Sequence, residues 1–100
     1  GYDSAEGGSV IETGTVEGGE WDDFGPFVIA EGSSLLALLE GTGDADLYVR
    51  VGALPDLTAY DCRPWLDGSE EACEIKGPGP VYVSVYGYDD SSDYTLEIAW

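Results

Sequence analysis

Val81-Tyr82-Val83-Ser84-Val85-Tyr86-Gly87-Tyr88, followed after Asp89-Asp90-Ser91-Ser92-Asp93 by Tyr94-Thr95-Leu96-Glu97-Ile98-Ala99-Trp100, is the stretch on which the fold turns. Val81, Val83 and Val85 alternate with Tyr82, Ser84 and Tyr86. Tyr94, Leu96, Ile98 and Trp100 alternate with Thr95, Glu97 and Ala99. In an extended chain successive side chains point to opposite faces, so a period of two gives each segment one dry and one wet face. Each therefore reads as a strand, and the Gly-, Asp- and Ser-rich segment between them reads as their hairpin connection. The same parity points Trp100 inward with Ile98.

Working outward, short runs rich in Val, Ile, Tyr and Thr recur between Gly, Pro, Asp and Ser clusters. Ser9 to Val16 is the first strand. Trp21 to Ile29 is the second, with Pro26 marking an edge or a bulge. Leu35 to Glu40 has helical composition, but six residues between Gly32-Ser33-Ser34 and Gly41-Thr42-Gly43 is strand length. It is apolar throughout, as a strand covered on both faces would be. Asp46 to Val51 sets Leu47, Val49 and Val51 against Tyr48 and Arg50. Ala59 to Arg63 and Ala72 to Ile75 flank the cysteine loop. The expected fold class is all-β: an antiparallel β-sandwich or jelly roll of about eight strands with one disulfide. Residues 1–100 are expected to form a single domain, with 1–8 as the candidate tail.

The chain has 100 residues, with 3 Lys and Arg against 21 Asp and Glu, a formal charge of −18 and no His. Without His, Ser-His-Asp and Cys-His catalysis and the usual zinc sites are excluded. Three basic residues cannot neutralise a run of phosphates, so nucleic acid is not an expected partner. No apolar run approaches the roughly 18 residues of a membrane-spanning helix. A hydrophobic content of 43% means that the chain folds and carries its carboxylates on the surface, where they repel one another. Cations relieve that repulsion, either as bulk salt or as calcium bound by a few clustered carboxylates.

Cys62 and Cys73 have ten residues between them, a spacing that fits no common metal motif. A disulfide is the expected pairing, worth about 2–3 kcal/mol for so short a loop. It implies an oxidising compartment, and the expected location is secreted or extracellular.

Several blocks then carry a resemblance: Gly43-Asp44-Ala45-Asp46-Leu47-Tyr48-Val49-Arg50 with Gly52 and Pro55; Tyr60-Asp61-Cys62-Arg63-Pro64-Trp65; Gly68-Ser69-Glu70-Glu71-Ala72-Cys73; and Val81 to Tyr88 with Ser92-Asp93-Tyr94-Thr95-Leu96. Their series and order resemble the bacterial pre-peptidase C-terminal domain, from about Gly14 to Trp100. Trp65, where Tyr is the family's residue, is a mild departure. The resemblance implies a β-sandwich module that accompanies secreted metalloproteases, serine proteases and collagenases and is generally not catalytic. The implied partner is a parent peptidase domain in the same chain. Collagenase members bind collagen and take up calcium. The residues here that best match part of that calcium site are Glu20 and Asp23, beside Asp22. The relatives' Glu- and Asn-rich linker is not matched by Gly1 to Gly8.

Independently of the resemblance, Asp44 and Asp46 form an Asp-x-Asp in a Gly-rich turn, where two carboxylates can converge on a hard cation or simply cap the turn. Asp89, Asp90 and Asp93 form a third acidic cluster at a hairpin tip. Trp65, after Pro64 in the cysteine loop, is the candidate partner-binding residue, able to anchor a partner or stack on a sugar ring. Glu70 and Glu71 are adjacent, so they point to opposite faces of a strand and cannot flank a glycosidic bond. Three functions are thus expected: a non-catalytic accessory domain of a secreted peptidase, a collagen- or polysaccharide-binding module, and a self-assembling extracellular protein with Ser9 to Val16 as the strand donor.

Overall fold

The computed structural model describes residues 7–64, 70–88 and 91–100. Seven strands occupy most of them: β1 (Ser9–Glu17), β2 (Trp21–Ile29), β3 (Ser34–Gly41), β4 (Ala45–Val51), β5 (Glu71–Lys76), β6 (Gly79–Gly87) and β7 (Ser91–Ala99). They form two antiparallel sheets, a four-stranded one ordered β1-β7-β3-β5 and a three-stranded one ordered β2-β6-β4. The all-β sandwich is as expected from the alternating pattern. Val81, Val83 and Val85 of β6 face Leu96 and Ile98 of β7 across one dry interior, and all five are fully or almost fully buried. Leu35, Ala37, Leu39, Leu47, Val49, Phe27, Ile29 and Val16 complete it. Burying each of the larger side chains contributes about 1.5–3 kcal/mol, which is what holds the layers together. Trp100 packs on this core as its parity required, its ring centroid 5.0 Å from that of Phe27.

Two expectations are corrected. Ala59 to Arg63 is not a strand; it makes one isolated bridge, Val49 to Cys62, because the chain only touches β4 on its way to the cystine. Seven strands, not eight, are therefore present among the described residues. And β3 is covered on one face only. Leu36 and Leu38 are 39% and 41% exposed, whereas Leu35, Ala37 and Leu39 are buried. The strand covered on both faces is β4, whose Tyr48 is 1% exposed on the side away from the core. Segment 52–64 crosses that side, and no local pattern announces it.

Pro26 meets both meanings read into it. β2 lies at a sheet edge, and its register against β6 shifts between Phe24 and Phe27. Cys62 and Cys73 are bonded, with Cα atoms 6.1 Å apart. Two polar bonds join the layers among the described residues: the Leu47 N–H on β4 donates to Glu71 Oε1 on β5, and the Tyr94 hydroxyl on β7 donates to Asp22 Oδ2 on β2, both at 2.6 Å. The Tyr94 ring also sits close to β1. Gly14 makes room for it, since a Cβ there would fall 2.8 Å from Tyr94 Oη. Gly8 is tied to Trp100 by reciprocal backbone bonds. The rest of the candidate tail, Gly1 to Glu6, lies outside the described residues, as do Trp65, Asp89 and Asp90.

Candidate functional site

The outer face of the three-stranded sheet gathers the side chains with chemical potential. Register aligns Trp21, Tyr86 and Asp46 in one row and Asp23, Ser84 and Tyr48 in the next. Trp21 packs against Tyr86 and Tyr48, with ring centroids 4.6 and 4.9 Å apart, and Tyr60 meets Tyr48 at 5.5 Å. The Arg63 guanidinium stacks on Tyr48, 5.0 Å from its centroid, while its Nη2 bonds Asp46 Oδ2 at 3.2 Å. Tyr48 is thus sealed between a cation and an aromatic shell, and that burial pushes its phenol above the ordinary value. Trp21, Tyr60 and Tyr86 remain half-exposed.

Carboxylates and the cystine close the free edge of β4. Glu71 Oε1 accepts the Leu47 N–H at 2.6 Å, Cys62 exchanges both backbone bonds with Val49, and Asp61 Oδ2 accepts the Val51 N–H at 2.7 Å. Three successive outward N–H groups are therefore satisfied without a neighbouring strand. Glu71 is 4% exposed, so a carboxylate placed there by Cys73 two residues on is a structural plug.

The four candidate calcium ligands fall in separate places. Glu20 Oε1 accepts the Glu17 N–H at 2.9 Å in the β1–β2 turn. Asp23 accepts the Ser84 hydroxyl at 2.6 Å. Asp44 follows Gly43, whose φ of +68° turns the chain so that the Asp44 N–H meets Ser92 Oγ at 2.9 Å. Its Oδ1 is buried with no hydrogen-bond partner among the described residues. Asp46, 4% exposed, is bonded by Arg63. Burial, and then the charge of Asp44, raise the Asp46 carboxyl above its ordinary value against the pull of Arg63. The Trp21–Tyr48 contact crosses the diagonal between Asp23 and Asp46. No group of three or more His, Cys, Asp or Glu among the described residues could hold a metal ion. Among the described residues, then, Glu20, Asp23, Asp44 and Asp46 do not form one cluster of three or more ligands.

The strand order, the cystine and the loop it anchors now stand beside the sequence blocks quoted above. The family model described as "Bacterial pre-peptidase C-terminal domain" matches residues 23–87. The chain belongs to this family. It is 42% identical over 84 residues to a zinc metalloprotease of Helicobacter pylori, the alignment covering 81% of this chain and 32% of that protein. It is equally identical, over the same share of its own length, to the hemagglutinin/proteinase of Vibrio cholerae, of which 14% is covered. The chain thus spans at most about a third of these relatives. In structure it is similar to the pre-peptidase C-terminal domain of a Bacillus anthracis collagenase, with a TM-score of 0.67, 21% identity, and coverage of 90% of this chain and 88% of that one. At that identity the likeness concerns the fold.

Tyr48, Arg63 and Glu71 take central places around the outer face; sequence reading did not single out Tyr48 or Arg63 as site residues and considered Glu71 only beside Glu70 for glycoside hydrolysis. A signal existed for Arg63, as one of only three basic residues in the chain. Tyr48 and Glu71 carried none, because their roles depend on a loop and a neighbouring strand brought together by the fold.

Proposed function

We propose that this pre-peptidase C-terminal domain is a non-catalytic accessory module of a secreted bacterial peptidase, serving its secretion, stability or targeting. One observation carries the reading. Three of the buried or half-buried carboxylates are committed to structure: Glu71 to the β4 edge, Asp22 to Tyr94, Asp46 to Arg63. A general acid or nucleophile needs a carboxyl facing substrate, and these face the protein. Oxidation of Cys62 and Cys73 suits an exported chain. Cations act here by screening the −18 charge, calcium among them. The test is to express the parent chain with and without residues 7–100. The expected result is unchanged turnover of a short soluble peptide, with lower secreted yield or weaker action on an insoluble substrate. A loss of peptide turnover in a folded, fully secreted truncation overturns it.

A second reading is favoured by the half-exposed Trp21, Tyr60 and Tyr86, which surround the buried Tyr48. Such rings supply contact area at small entropic cost and suit a collagen- or polysaccharide-binding module. Retention on insoluble collagen and chitin, compared among the wild type, Trp21→Ala and Trp65→Ala, tests it. Equal retention of all three removes this reading.

A further inference from the structure

The two sheets treat their edges differently. β4 is plugged at Leu47, Val49 and Val51, and β2 is interrupted by its bulge. β5 is six residues long and carries Glu74 and Lys76. β1 runs uninterrupted for nine residues at the end of the four-stranded sheet. The reciprocal Gly8–Trp100 bonds fix its phase. Val10, Glu12, Gly14 and Val16 exchange bonds with β7, so the N–H and C=O groups of Ile11, Thr13 and Thr15 point away from the sheet. No strand lies on that side among the described residues. Glu17, at the end of the row, is satisfied by Glu20.

The side chains along this edge say what it would accept. Ile11, 65% exposed, and Thr13 present a β-forming outer face. Glu97 stands beside Ile11 and Asp93 beside Thr15 in register. On the inner face Glu12 is half-buried, near the Tyr94 hydroxyl that Asp22 holds. An added strand would therefore set apolar residues against Ile11 and Thr13, and basic residues, alternating with them, against Glu12. We infer that the outer edge of β1 is an acceptor for an extended basic segment of another polypeptide, added as a further strand of the four-stranded sheet. Charge selects this occupant over a second copy of the chain, since two surfaces of −18 repel.

A fluorescent nine-residue peptide of alternating Val and Lys is the probe, with a version N-methylated on alternate residues along one edge as its partner. The methylated peptide keeps the charge and loses the ladder donors. Binding of the first, with the second at least about tenfold weaker, is expected. So is slowed amide exchange at Ile11, Thr13 and Thr15. Thr13→Pro removes an outward N–H and no β7 bond, so it should weaken binding by a similar factor while the fold, checked by melting, is kept. Equal binding of both peptides, or protection confined to other strands, overturns the proposal in favour of diffuse charge attraction. Failure of the unmethylated peptide to bind the wild type overturns it outright. Self-association that strengthens with salt and protects the same amides without peptide overturns it in favour of a second copy.

Discussion

Replacing Tyr94 with Phe asks how much one polar bond between the two layers adds to their apolar contact. Tyr94 is 4% exposed, and its hydroxyl is 2.6 Å from Asp22 Oδ2 on the opposite sheet. Phe keeps the ring and opens no cavity, so the change removes the bond alone. A hydrogen bond to a charged group contributes about 1.5–3 kcal/mol. Asp22 is half-buried and water can re-solvate part of its carboxylate, which points to the lower half, about 1.5–2 kcal/mol. For a domain of this size that lowers Tm by about 6–15 °C. Urea unfolding followed by Trp fluorescence measures it, and a cycle with Asp22→Ala should return a coupling of about 1 kcal/mol or more. Gly14→Ala adds a third arm. Its Cβ would meet Tyr94 Oη at 2.8 Å, so its cost should shrink in the Phe background, where that atom is gone. Burial, reinforced by Asp22, also holds the Tyr94 phenol above its ordinary 10.0. The folded state then keeps a proton that the unfolded chain releases. Wild-type stability should therefore fall as pH rises above about 10, and the Phe variant should lose less over that window. A Tyr94→Phe protein within about 0.5 kcal/mol of the wild type, or strict additivity with Asp22→Ala, would refute the reasoning.

Other outcomes follow from the same structure. Removing the cystine as Cys62→Ala/Cys73→Ala should cost about 2–3 kcal/mol in denaturant unfolding and speed amide exchange at Val49, which Cys62 holds; unchanged exchange would detach the cystine from the edge. Leu39→Ala should cost about 2–5 kcal/mol and Leu38→Thr no more than about 0.5, and a reversal would mean that β3 is inverted. Asp46, raised mainly by burial, contributes stability that is complete below its ordinary 3.8 and lost as pH rises through its folded value. The wild type's advantage over Asp46→Asn should thus shrink from acid to neutral pH in pH-dependent melts. Asp56 runs the other way: Thr58 and Ala59 hydrogen bonds hold it below 3.8, so its contribution is present above that pH and lost in stronger acid, and Asp56→Ala should lack that loss. Melting in CaCl2, MgCl2 and NaCl at matched ionic strength should give equal shifts for the two divalent ions; an extra calcium shift would require a specific site.

The layers were legible because alternation is local. Val81, Val83 and Val85, like Leu96 and Ile98, needed no knowledge of their neighbours to be assigned inward. β3 was misjudged on its second face because an apolar side chain does not reveal whether anything covers it. Leu36 and Leu38 look like Leu35 and Leu39 in composition and differ only in what the fold places above them. The reverse holds for Tyr48, which alternation assigned outward and which the loop carrying Tyr60 and Arg63 then buried. The Asp-x-Asp at Asp44 and Asp46 read equally well as a cation site or a turn, and the deciding group, Arg63, lies seventeen residues away in sequence.

Acidity and edge closure are two sides of one arrangement. An excess of carboxylates repels, yet carboxylates aimed at backbone N–H groups are also the strongest acceptors available to end a sheet. At β4 the chain uses two of them, from Glu71 and Asp61, on either side of the cystine-held bridge to Val49. A third, Asp56, folds its own loop by accepting from Thr58 and Ala59. The first two bonds turn surplus charge into termination of the hydrogen-bonding ladder, so the edge of β4 is closed to a further strand. β1 has no such plug between Ile11 and Thr15 among the described residues, and its neighbours Glu12 and Glu97 are placed to attract cations instead of ending the ladder. The asymmetry gives the module a closed side and an open side, and a strand of opposite charge is what the open side is built to accept.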